Sequence, residues 1–206
     1  MRAIALLFSF MVFALVAPSA ALAKKPTGAT DPTAAPTPTP APSGANSGGA
    51  QYGVDPNAAP RQFVPGIKAK RLANGYAAAP QDAPVEIQEA VFAANEIVRM
   101  PYRYGGGHRS FKDTGYDCSG TISYALNRGG FLQSPLDSSS FMRWGRAGKG
   151  AWVTVYTNPG HAFVVIAGLR LDTSAAGERR SSGKGPRWRQ NARPQRGFRI
   201  RHPAGF

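Results

Sequence analysis

The clearest hydrophobic spacing in the chain predicts an amphipathic helix. Apolar residues recur three and four positions apart from Ile87 to Val98, which indicates one helix over about 84–99. Pro84 suits the first turn of such a helix, and Pro101 stops it. Because one face of this helix is apolar, we expect it to pack against a core.

A second helix and a group of strands follow. The second helix is predicted from Cys118 to Arg128 and ends at the glycine pair 129–130. After it, β-branched and aromatic runs replace the helical spacing and favour strands. The predicted strands are 152–156, 162–167, 169–173 and 198–201. Helices followed by strands predict an α+β domain, with N-terminal helices packed on an antiparallel β-sheet.

The N-terminal part of the chain has the composition of a leader and a linker. Residues 1–23 have the pattern of a secretory signal peptide: a basic start at Arg2, an apolar run and a group of small residues. The alternative, a membrane anchor, needs about 20 apolar residues, more than this run contains. Residues 24–80 are rich in Pro, Ala, Thr and Gly and predict a disordered tether, although scattered apolar residues leave open that 61–80 lies along the folded part. We therefore expect an exported protein, periplasmic or extracellular, with one domain over 81–206.

Composition limits the chemistry of the chain. Its 206 residues include 25 Lys and Arg against 11 Asp and Glu, which gives a formal net charge of +14, and one cysteine. A single cysteine excludes an internal disulfide and a cysteine-only zinc site, and three histidines leave little material for a mixed site. We therefore expect no metal site. We also expect that the protein needs no cofactor and is a monomer.

The positive charge is concentrated near the C-terminus. Residues 178–206 carry nine Lys and Arg side chains against Glu178 alone, a net charge of +8. In an exported protein this predicts attraction to anionic envelope polymers or lipids. A merely solvated segment is the plain alternative. Basic residues interleaved with Trp188 and Phe198 can also bind single-stranded nucleic acid, but no nucleic acid is expected for an exported protein.

The single cysteine stands where the second helix is predicted to begin. Cys118 follows Asp117 and precedes the small residues Ser119 and Gly120. A helix N-terminus presents unpaired N–H groups and a partial positive charge, which stabilise a thiolate over a thiol. The alternative is an inert buried cysteine, which the small and polar neighbours disfavour. Cys118 is therefore the candidate nucleophile.

A histidine and a carboxylate are expected beside this cysteine. His161 opens a predicted strand, whereas His108 lies in a glycine-rich loop and His202 in the basic segment. If the pair 167–168 forms a two-residue hairpin turn, Asp172 becomes the diagonal neighbour of His161, within side-chain reach. Asp172 can then orient the imidazole and stabilise its cation. A three-residue turn would place Asp172 on the opposite face of the sheet from His161, and Asp172 would then be a solvated charge at the strand end.

Three motifs in this order carry a resemblance to a known family. They are Pro-Tyr-Arg-Tyr-Gly-Gly at 101–106, Asp-Cys-Ser-Gly-Thr-Ile-Ser-Tyr at 117–124, and Gly-His at 160–161. Together they resemble the NlpC/P60 family, over about 85–174. These are secreted cysteine peptidases of the papain-like type that cleave peptidoglycan stem peptides, commonly beside γ-D-glutamyl residues.

The resemblance implies a role for each matching residue. Cys118 is the nucleophile and His161 the general base of such a peptidase. Tyr102 matches the family tyrosine that helps to form the oxyanion site together with the Cys118 backbone N–H. Ser119 matches a position that lines the substrate pocket, and we expect Asp117, beside the cysteine, to bind substrate as well.

The chain also departs from the family pattern. The third catalytic residue of the family is usually His, Asn or Gln, about a dozen positions after the histidine, whereas Asp172 stands eleven positions after His161. The strand before the histidine reads Gly-Ala-Trp-Val at 150–153 in place of the usual Gly-Asp-Leu.

One function is favoured and two alternatives stay open. The favoured function is a secreted cell-wall hydrolase that cleaves amide bonds in stem peptides, of the γ-D-glutamyl-diamino acid type, by a Cys–His thiol mechanism. The first alternative is a non-catalytic envelope-binding protein on the same fold. The second is an N-acetylmuramoyl-L-alanine amidase or an acyltransferase with a similar site.

Overall fold

The computed structural model describes residues 59–176, 185–190 and 193–206. The predicted signal peptide, the predicted tether before residue 59 and part of the basic segment lie outside these ranges. The helices of the described residues are α1 (Val85–Ile97), α2 (Cys118–Arg128) and α3 (Ser138–Phe141). The strands are β1 (Phe63–Val64), β2 (Lys70–Arg71), β3 (Ala77–Pro80), β4 (Arg146–Ala147), β5 (Val153–Asn158), β6 (His161–Ile166), β7 (Leu169–Leu171), β8 (Trp188–Arg189) and β9 (Arg199–His202).

Both helices predicted from the hydrophobic spacing are present, and they form one layer of an α+β fold. α1 and α2 pack against each other, and α2 packs against β6. The interior between helices and sheet is aliphatic, as the spacing predicts. Its buried side chains include Ile87, Val91, Ile122, Leu126, Val155, Val164, Ile166 and Leu171. In the ranges that the structure describes, no helix combines the length and the apolarity needed to cross a membrane.

Six strands form one antiparallel sheet in the order β4-β9-β5-β6-β7-β8. The β6–β7 hairpin has the predicted two-residue turn: Ile166 pairs with Leu169 across it, and Ala167 and Gly168 have φ angles of 47° and 82°. Positive φ at both central positions suits the right-handed twist of a tight hairpin. The register therefore makes Asp172 the diagonal neighbour of His161, as the two-residue turn predicts.

The folded part begins before the predicted boundary at residue 81. β1, β3 and β2 form a small sheet, in which β1 is parallel and β2 antiparallel to β3. Ala77 in β3 is fully buried, and its N–H and C=O both bond to the Asn95 side chain, at 2.9 and 2.8 Å. Residues 61–80 therefore lie along the folded part, the possibility that their scattered apolar residues left open, and the fold extends to the N-terminal side of residue 81. In this part of the chain, β1 and β2 have two residues each and β3 consists of three alanines and a proline, so the sequence shows no hydrophobic periodicity there.

The basic C-terminal segment is built into the sheet. β9 pairs with β5 and contains most of the strand predicted at 198–201, while β8 extends the sheet beyond β7. Trp188 in β8 is buried, and its Nε1–H donates to Asn95 Oδ1 at 2.9 Å. Trp188 and Arg189 are therefore part of the folded core, whereas Arg196 and Arg199 are exposed.

Candidate active site

Asp117 caps α2 and places Cys118 on its first turn. The Asp117 backbone is extended, and its carboxylate accepts the Gly120 N–H at 2.8 Å, as an N-cap residue does. Cys118 is the first residue of the helix, so its backbone N–H is one that the helix leaves unpaired. Its side chain is half-buried. This start of a helix stabilises negative charge on the Cys118 sulfur.

Two motif glycines allow the loop before Cys118 to lie against α2. A Cβ at Gly120 would come 2.0 Å from the Gly106 carbonyl oxygen, and a Cβ at Gly106 would come 2.2 Å from the Gly115 carbonyl oxygen. Both contacts involve backbone, which cannot move aside as a side-chain end can. Gly106 of the first motif and Gly120 of the second are thus required by close backbone packing around the cysteine.

His161 lies beside the Cys118 thiol. Asn158 Oδ1 accepts the N–H groups of Gly160 and His161, at 3.0 and 2.8 Å, and so fixes the tight turn that leads into β6. Because α2 packs against β6, the first residues of both elements meet. The His161 imidazole is hydrogen-bonded to the Cys118 thiol, and the Ala162 backbone N–H donates to the same sulfur.

Asp172 completes a line of three groups. Its Oδ1 lies 2.9 Å from His161 Nε2 and also accepts the Ser174 N–H at 2.8 Å. Since Nε2 faces Asp172, Nδ1 is the imidazole nitrogen left for Cys118. Asp172 is 1% exposed, so it is no solvated strand-end charge. The diagonal contact predicted from the hairpin is present, while the catalytic roles of the three residues stay predictions.

The electrostatics of this line favour a thiolate beside an imidazolium. Burial lowers the pKa of His161, but hydrogen bonds and charge from Asp172 and Cys118 outweigh it and raise that pKa to about 9. Burial raises the pKa of the Cys118 thiol, and the hydrogen bonds from His161 and Ala162 lower it by more, so the net pKa lies below its ordinary value. Such a pair at neutral pH combines a nucleophile with a proton donor.

The comparisons with known proteins do not assign this site. No protein-family model matches the chain, and no curated protein matches it. Among solved structures, the chain is similar to the peptidoglycan hydrolase RipB from Mycobacterium tuberculosis, with a TM-score of 0.44 and 20% sequence identity. That similarity covers 57% of this chain and 64% of RipB, which is less than two thirds of the RipB structure.

Tyr102 lies at the edge of the site. It forms an isolated parallel bridge with Tyr116, one residue before the Asp117 cap. Its side chain is 42% exposed. Burial of its ring, followed by the negative charges of Cys118 and Asp117, raises the pKa of Tyr102, so the hydroxyl keeps its proton at neutral pH. A protonated hydroxyl near the sulfur is available to donate a hydrogen bond, as the oxyanion prediction requires.

The other two predicted substrate-binding residues are buried in a network around His108. His108 Nε2 lies 3.0 Å from each oxygen of the Asp117 carboxylate and 3.2 Å from Ser119 Oγ. Asp117 Oδ2 also accepts the Gly105 N–H at 3.1 Å. Asp117 and Ser119 are only 7% and 3% exposed. Their visible contacts hold the glycine-rich loop against α2, and substrate binding by these two residues stays a prediction.

Arg193 is a site residue that the sequence did not indicate. Its NH1 donates to Asp172 Oδ2 at 3.2 Å, opposite the oxygen that faces His161. Its guanidinium lies over the rings of Phe163 and Phe198, 5.5 and 5.4 Å from their centroids. The Phe198 ring in turn lies edge-on to the His161 ring at 6.4 Å. The basic segment therefore contributes side chains to the surroundings of the candidate triad.

Proposed function

We propose that this protein is a cysteine-type amide hydrolase with Cys118 as nucleophile, His161 as acid and base, and Asp172 as the group that orients His161. The observation that carries the proposal is the continuous hydrogen-bonded line from the sulfur through the imidazole to a buried carboxylate, at the start of α2. The thiolate is the reactive form of cysteine, and each contact of this line stabilises it.

The reaction proceeds in two stages. The Cys118 thiolate attacks the carbonyl carbon of an amide, and the carbonyl oxygen becomes an oxyanion that accepts hydrogen bonds from the Cys118 backbone N–H and the Tyr102 hydroxyl. The His161 imidazolium gives its proton to the departing amine nitrogen as the C–N bond breaks, which leaves a thioester on Cys118.

Water then releases the acyl group. Neutral His161 takes a proton from a water molecule, and the resulting hydroxide attacks the thioester carbonyl. Collapse of that intermediate breaks the C–S bond, releases the carboxylic acid and restores the thiolate beside the imidazolium. Asp172 holds His161 Nε2 throughout, so that Nδ1 stays directed at the sulfur and at the leaving group.

The proposed substrates are peptidoglycan stem peptides, with cleavage beside a γ-D-glutamyl residue and before a diamino acid. Two sequence features support this choice: the three ordered motifs that resemble the NlpC/P60 family, and the pattern at 1–23, which is typical of the leader of an exported protein. The positive net charge of +14 fits a partner with carboxylate and phosphate groups.

Incubation with purified muropeptides tests the proposal. The full chain and its Cys118→Ala variant are each incubated with muropeptides, and products are identified by mass, which also tells a stem-peptide cut from removal of the whole peptide at the N-acetylmuramoyl-L-alanine bond. We expect stem-peptide fragments from the unmodified chain and none from the variant.

Two other results would contradict the proposal. Equal fragments from both proteins would exclude Cys118 as the nucleophile. Intact muropeptides with the correctly folded, unmodified chain would favour the non-catalytic envelope-binding alternative. Circular dichroism of both proteins supplies the check on folding.

A further inference from the structure

Three arginines surround a small cavity next to β8. The cavity has a volume of about 190 Å³ and is lined by Arg71, Arg99 and Arg187 together with Asn74, Gly75, Val98 and Trp188. It is formed by the end of β2 and the turn after it, the end of α1 and the residues around β8. None of the residues given a catalytic role lines it.

Backbone carbonyls hold the three guanidinium groups in place. Arg71 Nε–H donates to the Trp188 carbonyl at 3.0 Å, and Arg99 NH2 donates to the Asn74 carbonyl at 3.1 Å. Arg99 also lies over the Tyr76 ring, 4.6 Å from its centroid. A guanidinium has five N–H donors, so these bonds fix its direction and leave further donors for a ligand.

Arg187 reaches the same region from the segment before β8. Its NH1 donates to the Met100 carbonyl at 3.3 Å and also to the Val98 carbonyl. Burial, and then the positive charges of Arg189 and Arg99, lower the pKa of Arg187. Two of the three cavity arginines, Arg187 and Arg99, thus lie close enough to repel each other.

Among the residues that the structure describes, no carboxylate balances these three charges. Within the described ranges, no Asp or Glu oxygen lies within 4.0 Å of the nitrogens of Arg71, Arg99 or Arg187. Elsewhere the chain does pair its arginines, as Arg193 with Asp172 shows. Like charges brought together without a counter-charge are destabilising unless an anion joins them.

We propose that this cavity is a binding site for a phosphate group. A phosphate dianion supplies more negative charge and more acceptor oxygens than a single carboxylate, and guanidinium groups fixed on three sides match a tetrahedral oxyanion. In the envelope such a group is carried either by a soluble or polymeric phosphate ester or by a lipid headgroup. The site gives the expected anionic partner a defined position, next to the start of the basic strand β8.

Titration of the full chain with inorganic phosphate, by calorimetry at low ionic strength, tests the site. Arg99→Gln is the main variant, because Arg99 is exposed and its replacement should leave the fold intact. Arg146→Gln is the matched control: it removes the same charge from β4, at the opposite edge of the six-stranded sheet and about 24 Å away at 4.8 Å per strand.

We expect one saturable phosphate site that Arg99→Gln weakens roughly tenfold, the effect of one charge-assisted hydrogen bond, and that Arg146→Gln changes less than about twofold. Arg71→Gln should weaken it similarly. Equal weakening by Arg99→Gln and Arg146→Gln, or no saturable binding, would overturn the proposal, because diffuse net charge would then explain any attraction. The Cys118→Ala variant should bind phosphate as the unmodified chain does, so this proposal and the hydrolase proposal can fail separately.

Vesicles distinguish the two sources of phosphate. If the group belongs to a lipid headgroup, binding to phosphatidylglycerol vesicles falls with Arg99→Gln but not with Arg146→Gln, and inorganic phosphate competes for it. If the group belongs to a soluble or polymeric ester, both variants bind vesicles equally, while only Arg99→Gln loses affinity for inorganic phosphate.

Discussion

Replacement of Asp172 by asparagine should move the alkaline limit of activity to lower pH. The pKa of His161 is raised from 6.5 to about 9, which equals about 3 kcal/mol in favour of the imidazolium at 1.36 kcal/mol per pH unit. Burial opposes this rise, and Asp172 and Cys118 together produce it. Asparagine keeps a hydrogen-bond acceptor but removes the negative charge. Arg193, 3.2 Å from Asp172 Oδ2, remains and disfavours a second cation.

The size of the effect follows from the part of the rise in the His161 pKa that Asp172 contributes. Loss of its charge should lower the alkaline pKa by roughly one to two pH units, because the contact with Cys118 remains. At neutral pH, kcat/KM should fall by about 10²–10⁴-fold, the range usual for acid–base support, and by less than in Cys118→Ala.

The assay is the pH dependence of kcat/KM for muropeptide cleavage between pH 5 and 10. Asp82→Asn is the control, since it makes the same chemical change at an exposed carboxylate outside the site. An alkaline limit that stays at the wild-type value in Asp172→Asn would refute the reasoning. It would mean that Asp172 does not set the protonation of His161.

Three further predictions concern the site and the fold. Arg193→Gln should shift the alkaline limit upward, opposite to Asp172→Asn, because it removes a cation beside Asp172; the same pH profile measures this, and a downward shift would contradict it. Gly120→Ala should lower the free energy of unfolding in urea by about 2–3 kcal/mol, because the added Cβ clashes with the Gly106 carbonyl. The control Gly160→Ala, whose nearest contact is at 3.7 Å, should change it by less than about 0.5 kcal/mol, and equal effects would contradict the packing argument. The pKa of His161 in the folded protein lies above its ordinary 6.5, so protonation of His161 stabilises the fold fully below pH 6.5, and this stabilisation is lost as the pH rises through about 9. Urea unfolding of the unmodified chain should show this loss of stability, and the same loss in His161→Gln would mean that His161 does not cause it.

Local patterns in the sequence were sufficient for the elements that carry the candidate triad. α1 and α2 follow from apolar spacing, and the β6–β7 register follows from a two-residue turn at Ala167 and Gly168. Because side chains alternate along a strand, that turn alone places Asp172 on the same face as His161. The meeting of Cys118 with His161 was expected from the resemblance, and in the structure it arises from the packing of α2 on β6.

Elements of two residues and long-range contacts were not accessible in the same way. β1, β2, β4 and β8 are too short to show a period, and β3 is three alanines and a proline. His108 and Arg193 join the site through contacts that depend on the folded positions of a loop and of the C-terminal segment. Trp188 was the available signal for that segment, since a large apolar residue within a basic stretch is better explained by burial than by a solvated tail.

The pH dependence of Cys118 alkylation tests the central claim most directly. The rate of reaction with iodoacetamide follows the thiolate fraction, and Cys118 is the only thiol in the chain. The hydrogen bonds from His161 and Ala162 predict a midpoint below the ordinary thiol value of about 8.5, and a shift of that midpoint toward 8.5 in His161→Gln. A midpoint at or above about 8.5 that does not change in His161→Gln would contradict an activated Cys118–His161 pair.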